Sequence, residues 1–169
     1  MMILSIISLI CSCIIQGILS NYLGYTYSEL SYFSTIYILV NLLVLKPYFD
    51  NYKKYLLILV IFGFAMGIAY TDAVFLNVFL FLCAYYFGKI FHFFFPYNFL
   101  TLNISCLLSV FLYHIITFLF LFLLKSDYYT FDMLFRVVIR SIPMTILYTS
   151  FLHFLFNFLF RKFELREIK

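Results

Sequence analysis

Long uncharged runs broken by short polar segments set the rhythm of this chain. No residue from 1 to 28 is charged, and residues 3–20 make the first apolar run. Residues 30–45 make a second, closed by Lys46-Pro47, because proline disfavours helical geometry at the residue before it. Further runs cover 55–71, 73–95, 99–124 and 137–160. A helix rising 1.5 Å per residue needs about 20 apolar residues to cross a hydrocarbon core of roughly 30 Å. The pattern therefore predicts an all-α, polytopic integral membrane protein. It has a single domain, residues 1–169, with six transmembrane helices over those six runs.

The breaks carry the remaining information. Residues 21–29 (NYLGYTYSE) form a polar, Tyr-rich turn, and residues 46–54 (KPYFDNYKK) the clearest loop. Asp72 bounds the third span, Lys89 is near enough to the end of the fourth to snorkel, and Pro96-Tyr97-Asn98 is a tight turn. Residues 125–136 (KSDYYTFDMLFR) read as a short amphipathic helix lying at the interface, capped by Asp127 or by Thr130 with Asp132. A charged tail, 161–169, ends the sequence.

Composition agrees with this reading and excludes a soluble fold. Hydrophobic residues are 66% of the chain and charged residues 11%, less than half the usual share of about 25%. The net charge of +4 shows no basic patch interleaved with groove-reading polar residues, which excludes nucleic acid as a partner. With six spans and the N-terminus inside, Lys46, Lys53, Lys54, Lys89, Arg161, Lys162, Arg166 and Lys169 fall on one side, and Lys125, Arg136 and Arg140 on the other. That bias, eight against three, places both termini in the cytoplasm of a bacterial cell, the chain being multi-pass in its cytoplasmic membrane. No basic residue precedes the first apolar run, so it reads as a retained span rather than a signal peptide. An AT-biased bacterial genome explains 25 Phe and 16 Tyr without a Trp more simply than function does. Cys11, Cys13, Cys83 and Cys106 all sit in apolar runs and read as small filler.

Few constellations suggest chemistry. Gly63 and Gly67, four apart, share a helix face, and small residues at that spacing let a neighbouring backbone approach closely. The seam serves either internal packing or a partner helix. Asp72, just beyond it, is either a boundary acid or an acid that steadies a turn or a partner, with Asn77 as a neutral hydrogen-bond acceptor or donor nearby. His92, His114 and His153 lie on three different spans without ligand spacing; His153 with Asn157, and His114 with Thr117, read as polar spots for interhelical hydrogen bonds. Arg136 and Arg140 are a turn apart before Pro143, and Arg136 can pair with Asp132 or meet lipid phosphates. Pro143 falls in the first turns of the last span, and Thr145 and Thr149 follow on one face. No serine has a base nearby, no carboxylates pair, and no glycine loop is shaped for phosphate. The chain reads as non-enzymatic, without cofactor or metal.

The order of these features resembles the rod shape-determining membrane protein family, MreD. Three parts carry the likeness: Gly63-x-x-x-Gly67-x-x-Tyr70-x-Asp72; the uncharged run 99–124 followed by an amphipathic segment; and Arg140-x-x-Pro143-x-Thr145. Two details depart from that family's pattern: Tyr148 or Thr149 stands where an Asn commonly follows the Pro-Thr pair, and Thr71 separates Tyr70 from Asp72. The resemblance implies a non-enzymatic scaffold or adaptor of the bacterial cell-elongation machinery, the elongasome, in rod-shape maintenance and lateral peptidoglycan synthesis. Its partners would be an MreC-like bitopic protein, a peptidoglycan polymerase and its transpeptidase, and indirectly the MreB filament, within membrane lipid. Gly63, Gly67, Asp72, Arg140, Pro143 and Thr145 become candidates for helix packing or a partner interface. The implied fold resembles the substrate-binding subunit of energy-coupling-factor vitamin transporters, which supplies the alternative function. For that alternative, Ser5, Ser8 and Ser12 on the first span would form a seam for the transport partner. An ion-coupled carrier is disfavoured, because no acid or base lies deep in a span.

Overall fold

The computed structural model describes residues 2–22, 35–49, 51–70, 74–123 and 130–162. They form six α-helices: α1 (Met2–Tyr22), α2 (Tyr37–Leu45), α3 (Tyr52–Tyr70), α4 (Val74–Phe94), α5 (Phe99–Leu123) and α6 (Phe131–Lys162). A short 3-10 turn, Lys46–Tyr48, extends α2.

Among the described residues, four helices and not six are long and apolar enough to cross a membrane: α3, α4, α5 and α6. This corrects the count expected from uncharged runs. Among the described residues, the apolar stretch of α1 is Leu4–Leu19 and that of α2 with its 3-10 turn is Tyr37–Tyr48; both are shorter than a span. Freedom from charge is not the same as lipid-facing length. Helix α1 buries Ser5, Ser12 and Gln16 against its neighbours. The nine residues of α2 extend about 14 Å at 1.5 Å per residue, roughly half a hydrocarbon core. Thr35 and Ile36, assigned in sequence to the second span, are not helical. The cytoplasmic assignment of both termini, and the likeness to a six-helix transporter subunit, were built on six crossings and lapse with that count.

Helix α2 is the core. All nine of its residues are buried, and α1, α4, α5 and α6 pack around it. A short apolar segment enclosed on every side is what the length rule expects of a buried or re-entrant helix. Contacts fix the directions. Thr35, Tyr37 and Tyr48 meet Thr145, Tyr148 and Asn157 in order, so α2 runs parallel to α6. Asn41 meets Ser8 and Ser12 whereas Ile38 meets Gln16, so α1 runs antiparallel to α2. Tyr52 lies beside Tyr86, and Phe99 beside His153, at the end of the bundle where α2 finishes; we call this the Lys46 end.

The outer surface is apolar. Only 28–33% of each long apolar stretch is buried, and Ile68, Phe75, Phe93 and Leu123 are each at least three-quarters exposed, as lipid-facing helices require. The protein is a multi-pass helical membrane protein by this surface and these lengths.

Helix α6 corrects a second expectation. Residues from Phe131 onward are not a separate interfacial helix but the first turns of one helix of 32 residues, about 48 Å long at 1.5 Å per residue. Thr130 accepts from the Met133 amide at 3.4 Å and opens it. Pro143 therefore stands in the helix interior rather than in the first turns of a span. There its missing donor leaves the Ile139 carbonyl without its usual partner.

Candidate functional site

The most organised polar chemistry is buried between α1, α2 and α6. Asn41, wholly buried, donates through Nδ2 to Ser8 Oγ at 2.8 Å and Ser12 Oγ at 2.5 Å. Ser12 donates its own proton to the Ser8 carbonyl at 2.9 Å, so the Tyr148 hydroxyl, 2.8 Å away, donates to Ser12. Ser12 thus uses its hydrogen and accepts two others. One turn along α6 the same logic repeats. Thr145 donates to the Ser141 carbonyl at 2.6 Å, so Thr35 donates to Thr145 across 2.7 Å. Gln16 takes the Ile38 amide on Oε1 at 3.4 Å, covering one open donor at the start of α2, and its Nε2 reaches Met66 Sδ of α3. Asn41 Oδ1 is buried without a partner among the described residues.

These groups are neutral hydroxyls and amides. In a medium that drives no hydrophobic association between helices, they fix register and depth. The serines of α1 and the threonines of α6 are legible in the sequence as polar faces, whereas Asn41 and Gln16 are not. Each is a lone amide inside an uncharged run, the signal that was available. Ser8 and Ser12 bond Asn41 of α2 within the chain.

The other named residues lie in different places. Gly63 and Gly67 face α4: a Cβ added at Gly63 would sit 3.1 Å from Val78 Cα, and one at Gly67 only 2.5 Å from Val74 Cα. The glycine seam is therefore covered by the chain's own next helix. Thr145 belongs to the α2 seam, whereas Pro143 is exposed and Arg140 half-buried on α6, so the structure does not gather these candidates into one site. Asp72 lies outside the described residues. Asn77, considered as its neighbour, accepts from the Tyr113 hydroxyl of α5 at 2.5 Å. Arg136 and Asp132 form an exposed ion pair at 2.5 Å. His153 pairs with Asn157 within α6 at 2.9 Å, and Asn157 accepts from Tyr48 at 3.4 Å. Thr117 bonds the Tyr113 carbonyl rather than His114. Among the described residues, no three of His, Cys, Asp and Glu gather as metal ligands would.

A second polar grouping, unforeseen from sequence, lies at the Lys46 end. Lys46 Nζ sits 5.2 Å from the centre of the Tyr85 ring, and Lys89 Nζ 5.1 Å from that of Tyr52. Both are cation–π distances. The Tyr52 and Tyr86 hydroxyls are 3.2 Å apart, and the Tyr52, Tyr55 and Tyr86 rings all border Tyr85. Burial first, and Lys89 second, bring Lys46 from its ordinary value of 10.5 to about 8. Tyr85 and Tyr86, four and three residues before Lys89, were the available sequence signal.

No protein-family model matches this chain, and no curated protein or solved structure matches it either.

Proposed function

We propose that the protein is a non-enzymatic scaffold or adaptor in the bacterial cytoplasmic membrane, serving rod-shape maintenance and lateral peptidoglycan synthesis in the manner of MreD. The observation that carries this reading is how the residues behind the resemblance are used. Gly63 and Gly67 admit α4, and Thr145 holds the start of α2. They hold helices of the chain against one another. The buried hydroxyls and amides bond chiefly to one another, which suits a docking platform better than a reaction centre. Its partners in this reading are an MreC-like bitopic protein and a peptidoglycan polymerase with its transpeptidase, linked indirectly to the MreB filament.

Depletion of the protein in its host tests the proposal. Rods that round or widen while vitamin uptake persists support it. Normal cell shape after depletion overturns it.

A further inference from the structure

We infer that Lys46 and Lys89, set on the Tyr52, Tyr85 and Tyr86 rings at the Lys46 end, form a binding site for an anionic phosphate group. Three elements converge there: the 3-10 turn after α2, the first turn of α3 and the last turns of α4. Each ammonium is held over a ring, and its three N–H groups are donors only, the complement of phosphate oxygens. The Tyr52–Tyr86 hydroxyl pair holds two protons and uses one between its oxygens, so one remains to donate. Tyr52 and Tyr86 are 41% and 47% exposed, so a ligand reaches them.

Charge points to the same ligand. Among the described residues the carboxylate is Asp132, at the far end of the bundle and paired with Arg136. Asp50, Glu164 and Glu167 lie outside the described residues. Among the described residues, Lys46, Lys53, Lys54, Lys89, Arg161 and Lys162 stand on elements that begin or finish at this end, six basic residues with no carboxylate. Lys46 and Lys89 lie over the Tyr85 and Tyr52 rings, whose centres are 6.0 Å apart, so the two like charges are held as neighbours. An anion between the two ammoniums relieves that repulsion. Tyrosines and lysines at helix ends stand at headgroup depth, where phosphates are abundant. The site is independent of the scaffold reading, and its test does not involve cell shape.

The phosphate is presented either by an anionic lipid headgroup or by a soluble phosphate, and one experiment separates them. Full-length protein in neutral detergent is unfolded thermally with added dioleoylphosphatidylglycerol, with dioleoylphosphatidylcholine, or with inorganic phosphate and no lipid. Saturable stabilisation by phosphatidylglycerol alone identifies the lipid source; stabilisation by inorganic phosphate identifies the soluble one. The double variant Lys46→Gln/Lys89→Gln weakens the apparent affinity about thirtyfold, at about a factor of five per lysine. Lys46→Arg/Lys89→Arg retains it, and Lys53→Gln/Lys54→Gln weakens it clearly less than the Lys46/Lys89 glutamine pair does. Should the double glutamine variant not fold, Lys89→Gln alone, at an exposed position, weakens binding about fivefold. Absence of a shift with either anion, or equal losses in the two glutamine pairs, overturns the proposal.

Discussion

The hydroxyls of Thr35 and Thr145 lie 2.7 Å apart, and this contact sets how deep α2 reaches. Thr145 is near the middle of α6, with 14 residues before it in the helix and 17 after. Helix α2 therefore enters from the Lys46 end and stops halfway, enclosed by longer helices. A half-helix has unpaired amides at its inner end, and lipid supplies no water for them. Gln16, covering the Ile38 amide, is the chain's own answer.

Tyr148→Phe isolates the polar seam. The ring keeps its edge contact with Tyr37 at 4.9 Å and loses only the hydroxyl that Ser12 accepts. Unfolding in mixed micelles is expected to show a loss of about 0.6 to 1.7 kcal/mol, the range of interhelical hydrogen bonds in membranes. Asn41→Asp is expected to be worse, by about 2.5 kcal/mol or more, because it places a carboxylate at a wholly buried position.

The two glycines of α3 are expected to differ. Gly67→Ala forces a methyl to within 2.5 Å of the Val74 backbone, so the α3–α4 hairpin must move. A loss of about 1 to 3 kcal/mol follows from overpacking. Gly63→Ala meets Val78 Cα at 3.1 Å, a smaller intrusion offset by the better helix propensity of alanine, about 1 kcal/mol. Thermal unfolding of the pair ranks them, and equal stability would show that α4 yields freely at both levels.

Lys46 gives the stability a pH dependence. Its proton is lost near pH 8 in the folded protein and near 10.5 in the unfolded chain. Between those values the unfolded chain binds more protons, so stability rises with pH across that window. Below about pH 8 the charged lysine penalises the fold fully, facing Lys89 and His92 around Tyr85. Lys46→Met is expected to raise the melting temperature at pH 7 and flatten its rise above pH 8. A wild-type profile flat from pH 8 to 10 would contradict this.

The Asp132–Arg136 pair is expected to matter little. Both side chains are about two-thirds exposed, and one-turn helical pairs of this kind contribute about 0.3–0.5 kcal/mol. Asp132→Ala should lower stability by no more than that, and added salt should erase the difference.

The sequence by itself determined that this is an all-helical protein with a lipid-facing surface, because run length, absence of charge and break residues act locally. It placed α3, α4 and α5 within a few residues, and it marked Gly63 and Gly67 as a close-approach face. Only the tertiary structure decided that α2 is a buried half-helix, that among the described residues four helices rather than six are long enough to cross, and that α6 runs unbroken through Pro143. Burial of α2 depends on what surrounds it, and an apolar run facing lipid looks in sequence like one facing protein. The Asn41 seam and the Lys46–Lys89 pair were hidden for the same reason: their partners are 29 to 136 residues away, or on another helix. Such contacts exist only once the helices have packed.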